Sequence, residues 1–549
     1  GEIVALKGLG GFHLLVDARD NDAVARLRER KRRERKPLAL MYPSLEAVEG
    51  ECRLEAQERR ALLSAAAPIV LARRRAGAAV AEAVAPGNPY LGVMLPYTPL
   101  HHLLLCEFGA PLVATSGNLS DEPICTDERE ALARLGDVAD TFLVHDRPIT
   151  RHVDDSVVRV VAGREQVLRR ARGYAPLSLG VVGSEGTTLA VGGHLKNAVA
   201  LAVGGRAFAS QHVGDLDTET ARRAFEDVVD SLERLYDATP GAVVCDGHPG
   251  YASSQYAERT ALPVHRVQHH VAHVLSCMAD NDLAPSVLGV SWDGTGQGTD
   301  GTVWGGEFFH VTASATRRVA HLRTFALPGG EQAIREPRRA AFGLLHEIGA
   351  VAEAADLPWA ASFSEEERRV IAGMLRGGVN CPRTSSAGRL FDAIASLLGV
   401  EHVNHFEGQA AMELEFCCDA GVGTGEVPTP YGLELRDGPG GATVVDWEPL
   451  VRGVIGDVRR GTPAPAVARA FHTALARAIL SVAERVGEHR VVLTGGCFQN
   501  ARLSEETIER LGAGGFAVYW HQRVPPNDGG VAVGQIAAYA QGRLFERVE

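Results

Sequence analysis

Short apolar runs rich in β-branched residues alternate with stretches of helical period along most of the chain, the pattern of α/β domains built on largely buried sheets. The first run, Ile3 to Leu6, predicts a strand that enters Lys7-Gly8-Leu9-Gly10-Gly11-Phe12. A helical segment follows near Asn21 to Arg30, then the basic run Lys31-Arg32-Arg33-Glu34-Arg35-Lys36-Pro37 and the strand Leu38 to Met41. Alternation continues to Arg172-Gly173-Tyr174-Ala175-Pro176 and a glycine-rich stretch near Gly180 to Gly186, which reads as an exit linker. The expected domains are therefore 1–184 and 185–549, the second with lobes of about 185–284 and 285–549.

The second region repeats a plan rather than a sequence. Leu189-Ala190-Val191-Gly192-Gly193 leads through Lys196 to Ala198 to Val203, and Leu288-Gly289-Val290 leads through Asp293-Gly294-Thr295-Gly296 to Val303 and Phe308. Each predicts a strand, a glycine turn and a returning strand. Val243-Val244-Cys245-Asp246-Gly247 and Val491-Val492-Leu493-Thr494-Gly495-Gly496 each set glycine after a strand and before a helix. Two such halves predict two lobes with a cleft suited to phosphates held by glycine-turn amides.

A chain of 549 residues is too long for one core. Its nine cysteines form no Cys-x-x-Cys, so neither a zinc ribbon nor a disulfide framework is expected. No uninterrupted apolar run approaches bilayer length and no charged-then-apolar leader opens the chain, which points to cytoplasmic residence without a membrane partner. The opening residue, Gly1, points to an excised fragment. The whole of the net charge of −12 arises after residue 180, where 31 Lys+Arg face 44 Asp+Glu, a poor match for nucleic acid but compatible with small anionic substrates. Only Lys7, Lys31, Lys36 and Lys196 are lysines among the 56 cationic residues. Either they mark positions where a compact ammonium meets phosphate, or they survive a bias towards arginine.

His269 and His273 lie one helical turn apart in Gln268-His269-His270-Val271-Ala272-His273, so both imidazoles project from one helix face. Asp293 follows an apolar run, and Asp528 sits in Pro525-Pro526-Asn527-Asp528-Gly529-Gly530 before a helical stretch from Val531. Loop-mounted carboxylates beside a histidine pair make a candidate divalent-metal centre of His269, His273, Asp293 and Asp528. A polar helix face with ordinary turn aspartates is the competing reading.

Other polar groups suit phosphate. Lys31, Arg33 and Lys36 form a dense basic group that Ser116 and Asn118, or Ser156 and Arg159, could join from polar turns, with Lys7 in a glycine setting nearby in sequence. Taken alone the basic run reads as a solvated helix end. In the second region Lys196, Gly294, Gly296, Gly495, Gly496 and Asn500 are the nucleotide-binding candidates, although any one glycine pair is more often a plain turn. Thr384 to Asp392 and Glu407 to Glu413 read first as helix starts. His101 and His102 read as packing or surface residues with no role, and no catalytic residue is assigned.

Together these motifs resemble the hydrogenase-maturation carbamoyltransferase family HypF. Lys7 to His13, Ala114 to Ser120 and Asp154 to Arg159 resemble its YrdC-like domain; Ser210 to Leu216, the histidine run, Trp304-Gly305-Gly306-Glu307 and Pro525 to Gly530 resemble its transfer domain, which is similar to TsaD. The resemblance implies an α/β fold, with a YrdC-like domain followed by a two-lobed, actin-like TsaD-like domain of the ASKHA class. It implies ATP with Mg2+ and a divalent metal, iron or zinc, as cofactors, and HypE as partner, with carbamoyl phosphate or carbamate as the carbamoyl source. The first domain would make carbamoyl-adenylate, and the second would pass the carbamoyl group to the C-terminal cysteine of HypE for cyanide-ligand synthesis. The acylphosphatase-like domain and paired zinc fingers that usually open the family are missing from this sequence, so inefficient unaided use of carbamoyl phosphate is expected. The alternatives are a threonylcarbamoyl transferase acting on tRNA and a non-catalytic, nucleotide-dependent module that docks HypE.

Overall fold

Alternate residues of the strand Phe12–Asp17 face opposite sides of a sheet, and each side has its own core. Phe12, Leu14 and Val16 pack with Ala23, Val24 and Leu27 of the helix Asn21–Lys31. Leu15 packs with Leu6, Met94 and Leu105, the last on the helix Pro99–Phe108. The helix Asn21–Lys31 starts where the Asp20 side chain accepts from the Asp22 and Ala23 amides. It stops at Arg32, whose φ of 51° lies in the left-handed region. In this computed structural model, which describes residues 1–119, 122–181, 183, 186–419 and 431–544, these elements belong to a ten-stranded mixed sheet.

The chain divides into two compact units, Gly1–Arg266 with His521–Gln541, and Val267–Trp520 with the residues after 541. Besides the ten-stranded sheet, the first unit holds a six-stranded one, in the order Leu177–Gly180, Arg206–Ala209, Ala200–Val203, Thr188–Ala190, Ala242–Asp246, Val264–Val267. Three stretches group differently from the expected bounds, the first being 267–284, expected in the first lobe and found in the second unit. Leu177–Gly180, expected in the first domain, pairs antiparallel with Arg206–Ala209 in the second sheet, and the predicted junction at 184 and 185 lies outside the described residues. His521–Gln541, expected in the last lobe, returns to the first unit, where the apolar helix Val531–Ala540 packs on the six-stranded sheet.

That return is anchored by a polar contact. Gln535 is fully buried; its carbonyl accepts from the Gly192 amide at 2.9 Å and its amide donates to the Gly192 carbonyl at 3.2 Å. Asn197, also buried, donates to the carbonyls of Val191 and Gly193, closing the glycine turn between Thr188–Ala190 and Ala200–Val203.

The second unit has a nine-stranded sheet with the consecutive order Glu434–Asp437, Thr443–Asp446, Thr316–Leu322, Val303–Val311, Val287–Gln297, Arg490–Thr494, Ala517–Trp520. The strand Val287–Gln297 does not end at Asp293 as expected. It continues through Asp293 to Gly296 with an irregular register between Trp292 and Gly296, and the chain turns later, where the Gly298 amide donates to Thr302. That irregularity frees Asp293 and Gly294 from the ladder without ending the strand. Among the described helices, Ala464–Val486 is long and apolar enough to cross a membrane, yet Val467, Phe471, Leu475, Ile479 and Val482 are fully buried in the second core.

Replacing Gln535 with leucine leaves the buried Gly192 amide without its partner and the Gly192 carbonyl with only Ser253 Oγ, at 3.3 Å. A loss on the order of 1–3 kcal/mol for the unsatisfied group is expected, read as a lower urea midpoint with an unchanged m-value.

Candidate metal centre and nucleotide-binding groups

In the second unit the helix His269–Asp280 begins where the Gln268 side chain accepts from the Val271 amide. His269 and His273, four residues apart, are 1% and 0% exposed, with ring centroids 4.8 Å apart. Their Nε2 atoms stand 3.6 Å and 3.0 Å from Asp293 Oδ2, and the ligand atoms of all three residues lie within 4.8 Å of one another. Asp293 Oδ1 accepts from the amides of Gly294 at 2.8 Å and Gly496 at 3.1 Å, so one oxygen fixes the carboxylate while the other faces the imidazoles. Burial would raise the Asp293 pKa, but the hydrogen bonds and charges of His269 and His273 hold it well below the usual carboxylate range. Two imidazole nitrogens and an ionised oxygen converging at this spacing are a donor set that fits a divalent ion. His270 contacts the Gln268 side chain instead, and burial keeps it neutral. Asp528 belongs to the other unit, on a short turn before the helix Val531–Ala540. A Cβ on Gly193 would lie 3.2 Å from its Oδ2.

In the first unit the structure joins three of the predicted residues directly. Lys31, only 4% exposed, donates to the Ser116 carbonyl and, at 3.1 Å, to Asn118 Oδ1, which also accepts from Ser116 Oγ at 2.8 Å. Burial, then the charge of Arg33, pushes the Lys31 ammonium well below its ordinary pKa. Arg33 is tied to the carbonyls of Lys36 and Pro37. Lys36 has a solvent-accessible side chain closely surrounded by protein and other cations, and its pKa falls to about 8 through desolvation and the charges of Arg33 and Arg169. Asp215 opposes this shift and Lys196 adds to it. Lys196, on the six-stranded sheet's glycine turn, thus lies within electrostatic reach of the group, while its amide donates to Asp215 Oδ1 at 2.7 Å.

Three other expected members are engaged by protein groups. Lys7 is buried on the face opposite His13, ion-paired with Glu128 and bonded to the His145 carbonyl. Ser156 Oγ accepts from the Ala171 amide and donates to the Arg172 carbonyl. Arg159 lies over the Tyr90 ring, 4.8 Å from its centroid. Each has a structural partner where a ligand was expected.

Comparison with known proteins supports both units. The Sua5, YciO and YrdC family model, described as telomere recombination, matches residues 1–171; the HypF Kae1-like domain matches 183–280; and the second subdomain of the carbamoyltransferase Kae1-like domain matches 289–535. The carbamoyltransferase HypF of Synechocystis is 45% identical over 99% of this chain and 72% of its own length. The chain belongs to the HypF carbamoyltransferases. They are a hydrogenase-maturation family, and the chain is accordingly a carbamoyltransferase with the YrdC-like and Kae1-like α/β domains expected. A full-length HypF solved in a phosphate- and nucleotide-bound form superposes with a TM-score of 0.93 at 40% identity, covering 98% of this chain and 84% of that one. HypF of T. kodakarensis superposes at 0.90 with 32% identity, over 99% and 72%.

Around the histidine pair, this HypF member places residues that sequence reasoning left without a role. Ser386 Oγ donates to the carbonyls of Asp293 and Gly294, 2.8 Å from each. Arg389 and Asp392 form a buried ion pair at 3.1 Å, and burial raises Asp392 to about 6 against the opposing charge of Arg389. The Cys497 thiol is pushed up by burial and then by Asp293. The three-residue spacing of Arg389 and Asp392 was a visible signal, masked by the plausibility of a helix start. The glycines prove to serve close packing: a Cβ on Gly495, where φ is +95°, would lie 2.2 Å from the Trp292 carbonyl, one on Gly496 2.7 Å from Asp293 Oδ1, and one on Gly296 2.4 Å from the His270 ring. Gly294 is more open, 3.6 Å from Arg389. Asn500 caps the helix Ala501–Ala513 and contacts His472 Nε2 at 3.0 Å, so its side chain is already engaged.

The state of Lys36 sets a pH dependence. Below about pH 8 the ammonium is charged, and above it the charge is lost. ATP affinity should therefore fall as pH rises from roughly 7 to 9, and Lys36→Arg should flatten that dependence in a fluorescent-nucleotide titration.

Proposed function

We propose that this chain makes carbamoyl-adenylate from Mg2+-bound ATP and a carbamoyl donor at the Lys31 group, and delivers the carbamoyl unit at the histidine centre to the C-terminal cysteine of HypE. The observation that carries this reading is the convergence of Lys31, Ser116 and Asn118 with Arg33 and Lys36 in a member of the HypF family. Clustered cations attract a triphosphate, and the Ser116 and Asn118 side chains orient it.

The chemistry balances in two displacements. A carbamate oxygen attacks the α-phosphorus, a new O–P bond forms, the bond to the β-phosphate oxygen breaks and pyrophosphate leaves. The cysteine, its thiol proton released to solvent, then attacks the carbamoyl carbon as thiolate, a C–S bond forms, the C–O bond to the adenylate breaks and AMP leaves. Lys31 and Arg33 neutralise phosphate charge in the first step. In the second, His269, His273 and Asp293 would hold the metal, with Asp528 proposed as the fourth ligand. A divalent ion there, iron or zinc, supplies Lewis-acid orientation and charge stabilisation when bound. Arg389 and Ser386 maintain the surrounding geometry, and Asp392 offers an acceptor for nucleotide hydroxyls. The donor is carbamate, supplied directly or from carbamoyl phosphate. Cytoplasmic residence accords with free cysteines that are largely buried, and the acidic balance disfavours a nucleic-acid partner.

Incubating the full chain with HypE, ATP and radiolabelled carbamate tests the reading. Label should appear on the HypE C-terminal cysteine, with AMP and pyrophosphate released; label on tRNA instead would overturn it. His273→Ala should keep carbamate-dependent ATP–pyrophosphate exchange, lose bound divalent metal by elemental analysis, and slow transfer by at least roughly 100-fold, the scale of losing a major electrostatic contributor.

A further inference from the structure

The histidine centre of the second unit contains one buried ring that the proposed reaction does not use. His270 follows the candidate ligand His269 in the chain and is fully buried. Its Nδ1 lies 3.3 Å from Gln268 Nε2. Gln268 decides which of the two donates. Its Oε1 accepts from the Val271 amide at 2.9 Å and its Nε2 donates to the Gln297 carbonyl at 3.0 Å, so two backbone groups fix the side-chain amide the same way round. The second hydrogen on Gln268 Nε2 therefore goes to His270 Nδ1, which is the acceptor. An imidazole whose Nδ1 accepts carries its proton on Nε2. That Nε2–H is buried and has no hydrogen-bond partner among the described residues.

A buried donor left without an acceptor is costly and rare. The surroundings of the ring restrict what the acceptor is. A Cβ on Gly296 would lie 2.4 Å from His270 Cε1, 3.1 Å from its Nδ1 and 3.0 Å from His269 Cδ2. Cε1 joins the two nitrogens of His270, and Cδ2 adjoins the His269 Nε2 that stands 3.6 Å from Asp293 Oδ2. The nitrogen-bearing edge of one ring and the ligand-bearing edge of the other thus meet over the same bare stretch of backbone. Trp304, the cross-strand partner of Gly296, brings its ring centroid to 6.2 Å from that of His270. An indole nitrogen only donates, and this one is engaged with Asp300 Oδ1 at 2.9 Å. The acceptor is therefore an oxygen that arrives with a ligand at the histidine centre.

We infer that His270 is a further catalytic residue of carbamoyl transfer, its Nε2–H donating to the carbamoyl oxygen while the cysteine thiolate attacks. The inference rests on the transfer reading above and adds to it the group that meets the developing charge. As the C–S bond forms, the carbonyl π electrons move onto that oxygen, and a neutral donor fixed beforehand stabilises the oxyanion without giving up its proton. The electrons return as the C–O bond to the adenylate breaks, and AMP leaves with the bonding pair. His270 ends the step in the tautomer in which it began, with Gln268 as its positioning residue.

Single-turnover transfer of radiolabelled carbamoyl from ATP and carbamate to HypE by the full chain tests it. His270→Phe, which keeps a planar ring without the donor, should slow transfer by about 100-fold, the scale of losing one oxyanion donor. Its bound divalent metal, AMP affinity and ATP–pyrophosphate exchange should match the wild type. His270→Gln, whose amide can donate from nearly the same place, should recover at least about tenfold of the loss. Near wild-type transfer by His270→Phe, the result if a fixed water alone pairs the nitrogen, would overturn the proposal. So would loss of the metal, which would make the ring a support for the centre, or weakened AMP binding, which would move the donor to the phosphate. A second readout does not depend on a variant's activity. In wild-type chain carrying 15N-histidine, the His270 Nε2–H resonance, identified by its absence from His270→Gln, should move on adding a sulfamoyl analogue of carbamoyl-adenylate and stay in place on adding AMP. An unmoved resonance with the analogue would count against the proposal. No transfer to the HypE cysteine by the wild-type chain would instead defeat the transfer reading itself.

Discussion

A carboxylate buried as deeply as that of Asp293 is costly unless both oxygens are engaged. One oxygen takes two backbone amides, those of Gly294 and Gly496, and the other faces His269 and His273. Much of the second unit's local form follows from that requirement. The irregular register of Val287–Gln297 frees the Gly294 amide, and the absence of side chains at Gly495 and Gly496 lets the turn after Arg490–Thr494 approach closely enough to donate. Thr494 Oγ1 in turn donates to the His273 carbonyl, tying the parallel strand to the histidine helix. Strand, turn and helix are thus registered on one ionised group.

The first unit handles the opposite charge. Burial first, and then neighbouring cations, lowers the pKa values of Lys31, Arg33 and Lys36: Arg33 acts on both lysines, Lys36 on Lys31, Arg169 on Arg33 and Lys36, and Lys196 on Lys36. Cations held this near one another are unfavourable without an anion, which is the electrostatic arrangement expected where phosphate binds. The ion pairing of Asp155 with His13 and Arg172 places a neighbouring polar set on a different footing, largely compensated within itself.

Much of the chemistry was legible along the chain. The i,i+4 histidines face one way because a helix must place them so, and Asp293 was marked by its position after an apolar run. The scarcity of lysine pointed to Lys31, Lys36 and Lys196, which do gather, and to Lys7, which does not. Local partners decide that case: Lys7, the cross-strand neighbour of Phe12, is held by Glu128 and the His145 carbonyl. Ser156 and Arg159 also engage protein groups, since a polar motif shows which groups are available but not which carbonyl or ring will engage them first.

Sequence by itself determined the α/β alternation, the histidine spacing, the basic run and, through its ordered motifs, the HypF resemblance, because each of these depends on residues close together in the chain or on their order. Only the tertiary structure decided that His521–Gln541 returns to the six-stranded sheet, that Arg389 and Asp392 neighbour Asp293, and that the buried rings of His13 and His101 lie side by side. These contacts join segments from tens to hundreds of residues apart. Their partners are chosen by burial and by the need to satisfy polar groups across sheets, which no local period records.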